Sequence, residues 1–147
     1  MSNTPNLDRK LGITPDCSIL LLDAPAPSAA LLREACPPGV TVADADDGAE
    51  RYDLIFLWLR TADGLAERFA ALQLRIVPDG AIWAMLLKKP VARTRGVTLT
   101  WEAMQAAALQ TDLVDNKIAT FSDEEYGTRF VIRRERRPAY ATPPFTH

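Results

Sequence analysis

Ser18-Ile-Leu-Leu-Leu-Asp-Ala-Pro-Ala-Pro-Ser28 is the stretch that decides how the rest of the chain is read. Ile19 to Leu22 are four aliphatic residues in a row, the pattern of a short central strand covered on both faces. Beyond the prolines, Ser28 is placed to cap a helix in which Leu31, Leu32 and Ala35 fall at helical spacing. A buried strand followed at once by a helix is the unit from which parallel sheets with helical faces are built. The turn between them, Asp23-Ala-Pro-Ala-Pro27, contains no glycine.

Working outward, Pro37-Pro-Gly39 ends that helix, and Val40 to Ala43 reads as a brief second strand before the acidic turn Asp44 to Gly48. Asp53 to Leu59 is the clearest strand in the chain. A helix is expected from about Ala62 to Ile76, with Leu65, Phe69, Leu72 and Ile76 on one stripe. Pro78-Asp-Gly80 reads as a turn into a further apolar strand, Ala81 to Leu87, and Lys88 to Gly96 as a basic loop. Thr100 is placed to cap a helix reaching Gln110, with Glu102 suited to its first turn. Two last strands, Val114 to Phe121 and Thr128 to Arg134, flank a charged turn at Ser122 to Gly127. Residues 1–11 read as a flexible leader, 12–137 as one folded domain, and 138–147, with three prolines, as a tail.

This alternation specifies an α/β, Rossmann-like domain: a three-layer sandwich with a mostly parallel sheet and a C-terminal antiparallel hairpin. The 147 residues suit one core, and 48% hydrophobic with 24% charged residues is ordinary for a globular chain. A net charge of -2 gives no general attraction to nucleic acid or membranes, and the apolar runs are too short to span a bilayer. The polar start, Met1 to Lys10, carries no apolar signal core, so a cytoplasmic location is the default expectation. An exposed hairpin edge would suit a homo-oligomer.

With its terminal hairpin and Pro78-Asp-Gly80 before an apolar strand, the order resembles the class I S-adenosylmethionine-dependent methyltransferase fold over residues 11 to 135. More specifically, the chain resembles a bacterial family of small uncharacterised proteins with a reduced version of that fold. The residues that carry this are Lys10-Leu-Gly-Ile13, Leu20-Leu-Leu-Asp-Ala-Pro25, Lys88-Lys89, Leu113 to Ala119 and Tyr126 to Val131. The resemblance implies a fold and no particular activity. Against working methyltransferases, one strand-helix pair is missing between Ala43 and Asp53, and the first turn lacks its glycines.

Ligands of open α/β sheets bind beyond the carboxyl ends of the strands. That rule selects Asp23, Ala24, Pro25 and Ala26 at the first turn, and Asp44 or Asp46 after the second strand. The resemblance implies that one of those two would hold a cofactor's ribose. Proline removes donors and alanine adds a Cβ where glycine leaves room, so a close cofactor cradle is not expected. Arg60, Lys88 and Lys89 are candidates for a small-anion site at the same edge. The only histidine is His147, in the tail, which excludes Ser-His and Cys-His catalysis and a His-based metal site. Cys17 and Cys36 should both lie at the opposite edge. Glu124 and Glu125 read as charge on a turn, Arg133 to Arg137 as a solvated edge, and Trp58, Trp83 and Trp101 as packing residues.

The function these readings favour is a non-catalytic, methyltransferase-like domain binding a protein partner or small anion at the carboxyl edge of the sheet. It would have no catalytic residues and need no metal or cofactor. Two alternatives remain at this stage. One is a methyltransferase with an unusual cofactor turn, using S-adenosylmethionine. The other is a nucleic-acid binder using Lys88, Lys89 and Arg133 to Arg137.

Overall fold

The computed structural model describes residues 6–45 and 51–141. A short helix, α1 (Leu7–Leu11), precedes β1 (Ser18–Leu22) and α2 (Ala26–Ala35). Next come β2 (Thr41–Ala43), β3 (Tyr52–Trp58), α3 (Leu65–Leu72) and a 3-10 turn at Gln73–Arg75. The chain continues through β4 (Ile76–Leu87), α4 (Lys89–Thr94), α5 (Trp101–Ala108), β5 (Leu113–Thr120) and β6 (Glu125–Ile132). A 3-10 segment, Arg134–Tyr140, closes the described chain.

The six strands form one sheet in the order β2-β1-β3-β4-β6-β5. The first four run parallel, and β6 lies antiparallel between β4 and β5. The strands β1, β3 and β4 read as continuous apolar runs because both of their faces are covered. Successive side chains point to opposite faces. On one face Leu20, Ile55, Leu57, Ile82 and Ala84 pack with Phe69 of α3 and Met104 of α5. On the other, Ile19, Leu21, Phe56 and Trp83 pack with Leu32 of α2 and Leu11 of α1. The result is an α/β, methyltransferase-like Rossmann fold with C-terminal antiparallel strands.

Several local expectations are corrected. Ser28 does not cap α2: the helix starts two residues earlier with Pro25 as its cap residue, and Pro27 fits the first turn because its missing N–H is not needed there. Pro78-Asp-Gly80 is not a turn before a strand but an irregularity inside β4, where the register with β3 shifts between Tyr52 and Leu54. Part of the basic loop is α4, with Pro90 in its first turn and Gly96 beyond its end at a φ of 69°. Glu125, Tyr126 and Gly127 belong to β6, not to a turn, because they pair with Leu87, Leu86 and Met85. Within the stretch that reads as a leader, Leu7 and Leu11 are buried, and the indole of Trp83 donates to the Leu11 carbonyl at 3.0 Å. Within the stretch that reads as a tail, Tyr140 is buried too.

Candidate functional site

The carboxyl ends of β1, β3 and β4 define one edge of the sheet. Because β6 is antiparallel to β4, its first residue lies at that edge, opposite Leu87. The tight turn before it is fixed by its own backbone. Phe121 and Ser122 both donate to the Glu125 carbonyl, at 3.0 and 3.1 Å, and the Ser122 hydroxyl accepts from Glu124 and Glu125 N–H groups at 3.2 Å. The Lys88 N–H donates to the Glu124 carbonyl at 2.8 Å, tying the turn to the end of β4.

This geometry carries the Glu125 carboxylate, only 3% exposed as a residue, into the middle of the edge. The Ser28 hydroxyl, in the first turn of α2, donates to Glu125 Oε1 at 2.6 Å. Arg60 Nη2 donates to Glu125 Oε2 at 3.2 Å, and Arg60 Nη1 to the Leu59 carbonyl at 2.9 Å. A buried charge is tolerated when it is paired and hydrogen-bonded, and here both carboxylate oxygens are answered. The positive end of α2, where an anion of a ligand would be most at home, therefore already faces the chain's own carboxylate. Two cavities of about 270 Å³ flank the cluster. Ser28 and Glu125 line one; Asp23, Pro25 and Arg60 line the other.

The sequence-expected residues separate here. Asp23, at a φ of 60°, pairs with Arg68 at 2.8 Å. Ala24, Pro25 and Ala26 make the turn into α2 without presenting a glycine-type backbone cradle. Asp44 is well exposed and sits 3.8 Å from Arg33, while Asp46 lies outside the described residues. Arg60 is at the edge, but as Glu125's partner. Lys88 is the cap residue before α4, whereas Lys89 and Arg93 line a different cavity on the side of α5. Cys17 and Cys36 lie at the opposite edge, and burial pushes both thiols above their ordinary range, so neither is poised as a thiolate. The basic run is partly committed internally: Arg136 pairs with Asp112 at 3.3 Å and Arg137 donates to the Ile132 carbonyl at 2.9 Å.

The residue that sequence reasoning missed is Glu125. An antiparallel last strand brings its start to the ligand edge, but the sequence pattern begins that strand at Thr128 and so leaves Glu125 in the turn. The turn after β1 differs from a glycine-rich cofactor cradle in three respects. Pro25 and Pro27 offer no N–H, the alanines carry Cβ atoms, and a carboxylate stands at the helix mouth. Among the described residues no group of three His, Cys, Asp or Glu side chains could hold a metal ion.

The chain is similar in structure to class I S-adenosylmethionine-dependent methyltransferases. It matches N-methyltransferase NodS from Bradyrhizobium japonicum WM9 with a TM-score of 0.56 at 12% identity, over 88% of this chain and 93% of that one. NodS in complex with S-adenosyl-L-homocysteine matches at 0.57 and 15% identity, over 88% and 85%. A S-adenosylmethionine-dependent methyltransferase from Clostridium acetobutylicum ATCC 824 matches at 0.55 and 9% identity, over 85% and 87%. At such identities the likeness is one of fold. No protein-family model and no curated protein matches the sequence. Among the described residues no helix is long and apolar enough to cross a membrane.

Proposed function

We propose that this chain is a non-catalytic, methyltransferase-like domain that binds a small anionic molecule at the carboxyl edge of its sheet. The observation that supports the non-catalytic reading is the buried Glu125 carboxylate held by Ser28 and Arg60 at the mouth of α2, and the anion is supported by Lys89 and Arg93 on the cavity beside the end of β4. A cofactor placed there would have to displace a satisfied, mostly buried ion pair and would gain few backbone hydrogen bonds in return. The competing methyltransferase reading relies on Asp23 and on Asp44 or Asp46. Asp23 is already answered by Arg68, and Asp44 stands out in solvent.

Calorimetric titration with S-adenosylmethionine and S-adenosyl-L-homocysteine tests this directly. The expected result is no binding tighter than about 100 μM for either compound. A tighter complex would overturn the proposal and restore the enzyme reading.

A further inference from the structure

On the face of the sheet that carries α5, beside the end of β4, lies a cavity of about 420 Å³. This is within the usual size range of small-molecule sites, about 300–1,000 Å³. We propose that it binds an amphiphilic monoanion: one carboxylate or equivalent head on an aromatic or medium-chain alkyl body. The assignment rests on the carboxyl edge being a binding surface, and it names the ligand class for that edge.

The body of such a ligand has matching walls. Leu87, Leu99, Trp101 and Tyr126 line the cavity, and two of them are flat aromatic rings that give large apolar contact at little entropic cost. Trp101 is held in place, since its indole donates to Thr128 Oγ1 at 2.8 Å. The head group is selected by α4. Lys89 and Arg93 stand four residues apart, hence on one face of that helix, and both line the cavity. Among the described residues neither side chain has an ion-pair or hydrogen-bond partner, whereas Arg60 and Arg95 are each paired with a glutamate. Two adjacent unpaired cations over an apolar floor are complementary to one anionic head.

Glu102 also lines the cavity. It occupies the first turn of α5, where the helix dipole already favours its charge. It therefore needs no cationic ligand, and it disfavours a second negative charge, which limits the ligand to a monoanion. Burial, and then Glu102, pushes the Tyr126 phenol above its ordinary value.

The test is calorimetric titration of the full chain with decanoate and with 4-phenylbutyrate, using decylammonium chloride and decanol as head-group controls. At least one carboxylate should bind with a Kd below about 100 μM. Decylammonium and decanol should bind at least about tenfold more weakly, and Lys89→Ala with Arg93→Ala should weaken carboxylate binding about tenfold or more. Both substituted positions are exposed, so the fold should survive, and a thermal melt checks this. Equal or tighter binding of decylammonium, undiminished binding by the double variant, or binding of neither carboxylate would each overturn the assignment. S-adenosylmethionine titrated into the same preparation separates the two readings. Cofactor binding defeats the non-catalytic proposal whatever the carboxylates do, and carboxylate failure without cofactor binding defeats this assignment alone.

Discussion

Glu124 and Glu125 are adjacent in the chain, and their surroundings could hardly differ more. Glu124 makes an ion pair with Arg95 at 2.8 Å in which both side chains are about half exposed, at 54% and 49%. Glu125 is buried between Ser28 and Arg60. Water screens the first pair, so Glu124→Ala should cost about 0–1 kcal/mol of stability. Removing the second carboxylate leaves a hydroxyl and a partly buried guanidinium without their acceptor, and Glu125→Ala should cost about 2–3 kcal/mol. Urea denaturation of both variants checks the contrast, and equal losses would refute the buried-cluster account. No local pattern separates two consecutive glutamates, so this difference could not be read from the sequence. It arises where β6 starts, and that is set by pairing with Leu87 on another strand.

At the level of elements, legibility followed how far each signal was local. Seven consecutive residues from Tyr52 to Trp58 make β3 in the place where the apolar run puts it. The stripe Leu65, Phe69, Leu72 and Ile76 is buried throughout, although Ile76 already belongs to β4. Pro78-Asp-Gly80 carried a true signal of broken geometry, but only the pairing with β3 shows that the break lies within a strand. Prolines misled for a related reason: at Pro27 and Pro90 they stand inside first turns, where a missing N–H does no harm. The capping signal at Thr100 is the cleanest local case, since its hydroxyl accepts from the Ala103 N–H at 3.1 Å. Thr100→Ala should therefore destabilise the protein by about 1 kcal/mol, a fall in Tm of about 3 °C. Scanning calorimetry reads that shift, and Thr100→Ser should recover most of it. Because α5 also presents Trp101 and Glu102, the cap supports one wall of the proposed ligand cavity.

The whole molecule is fastened at its C-terminal side by a polar latch whose charges set how stability responds to pH. The Tyr140 hydroxyl donates to Asp112 Oδ2 at 2.6 Å, Arg136 donates to Oδ1 at 3.3 Å, and Gln73 Oε1 accepts from the Asp112 N–H at 3.0 Å. The latch thus joins the segment after β6, the approach to β5 and the 3-10 turn after α3. Burial, and then the bond to Asp112, pushes the Tyr140 phenol up to about 12, whereas an unfolded tyrosine titrates near about 10. Above pH 10 the unfolded chain loses this proton while the folded chain keeps it, so the contribution of Tyr140 is full below about pH 10 and is lost as pH rises toward about 12. Asp112 is held below the ordinary carboxylate range, first by the Tyr140 hydroxyl and then by Arg136. Its contribution has the opposite sense: present above about pH 4 and lost as pH falls through its lowered folded value. Tyr140→Phe removes the alkaline effect and weakens the acidic one. At pH 7 the variant should be less stable by about 1–1.5 kcal/mol. That gap should narrow between about pH 10 and pH 12, by about 1.4 kcal/mol per pH unit at most. Urea midpoints measured for both proteins across this range decide it, because every other titrating group is common to the two and cancels in the difference. A gap that stays constant to pH 12 would show that the Tyr140 phenol titrates alike in the folded and unfolded chains and that the latch carries no alkaline pH dependence.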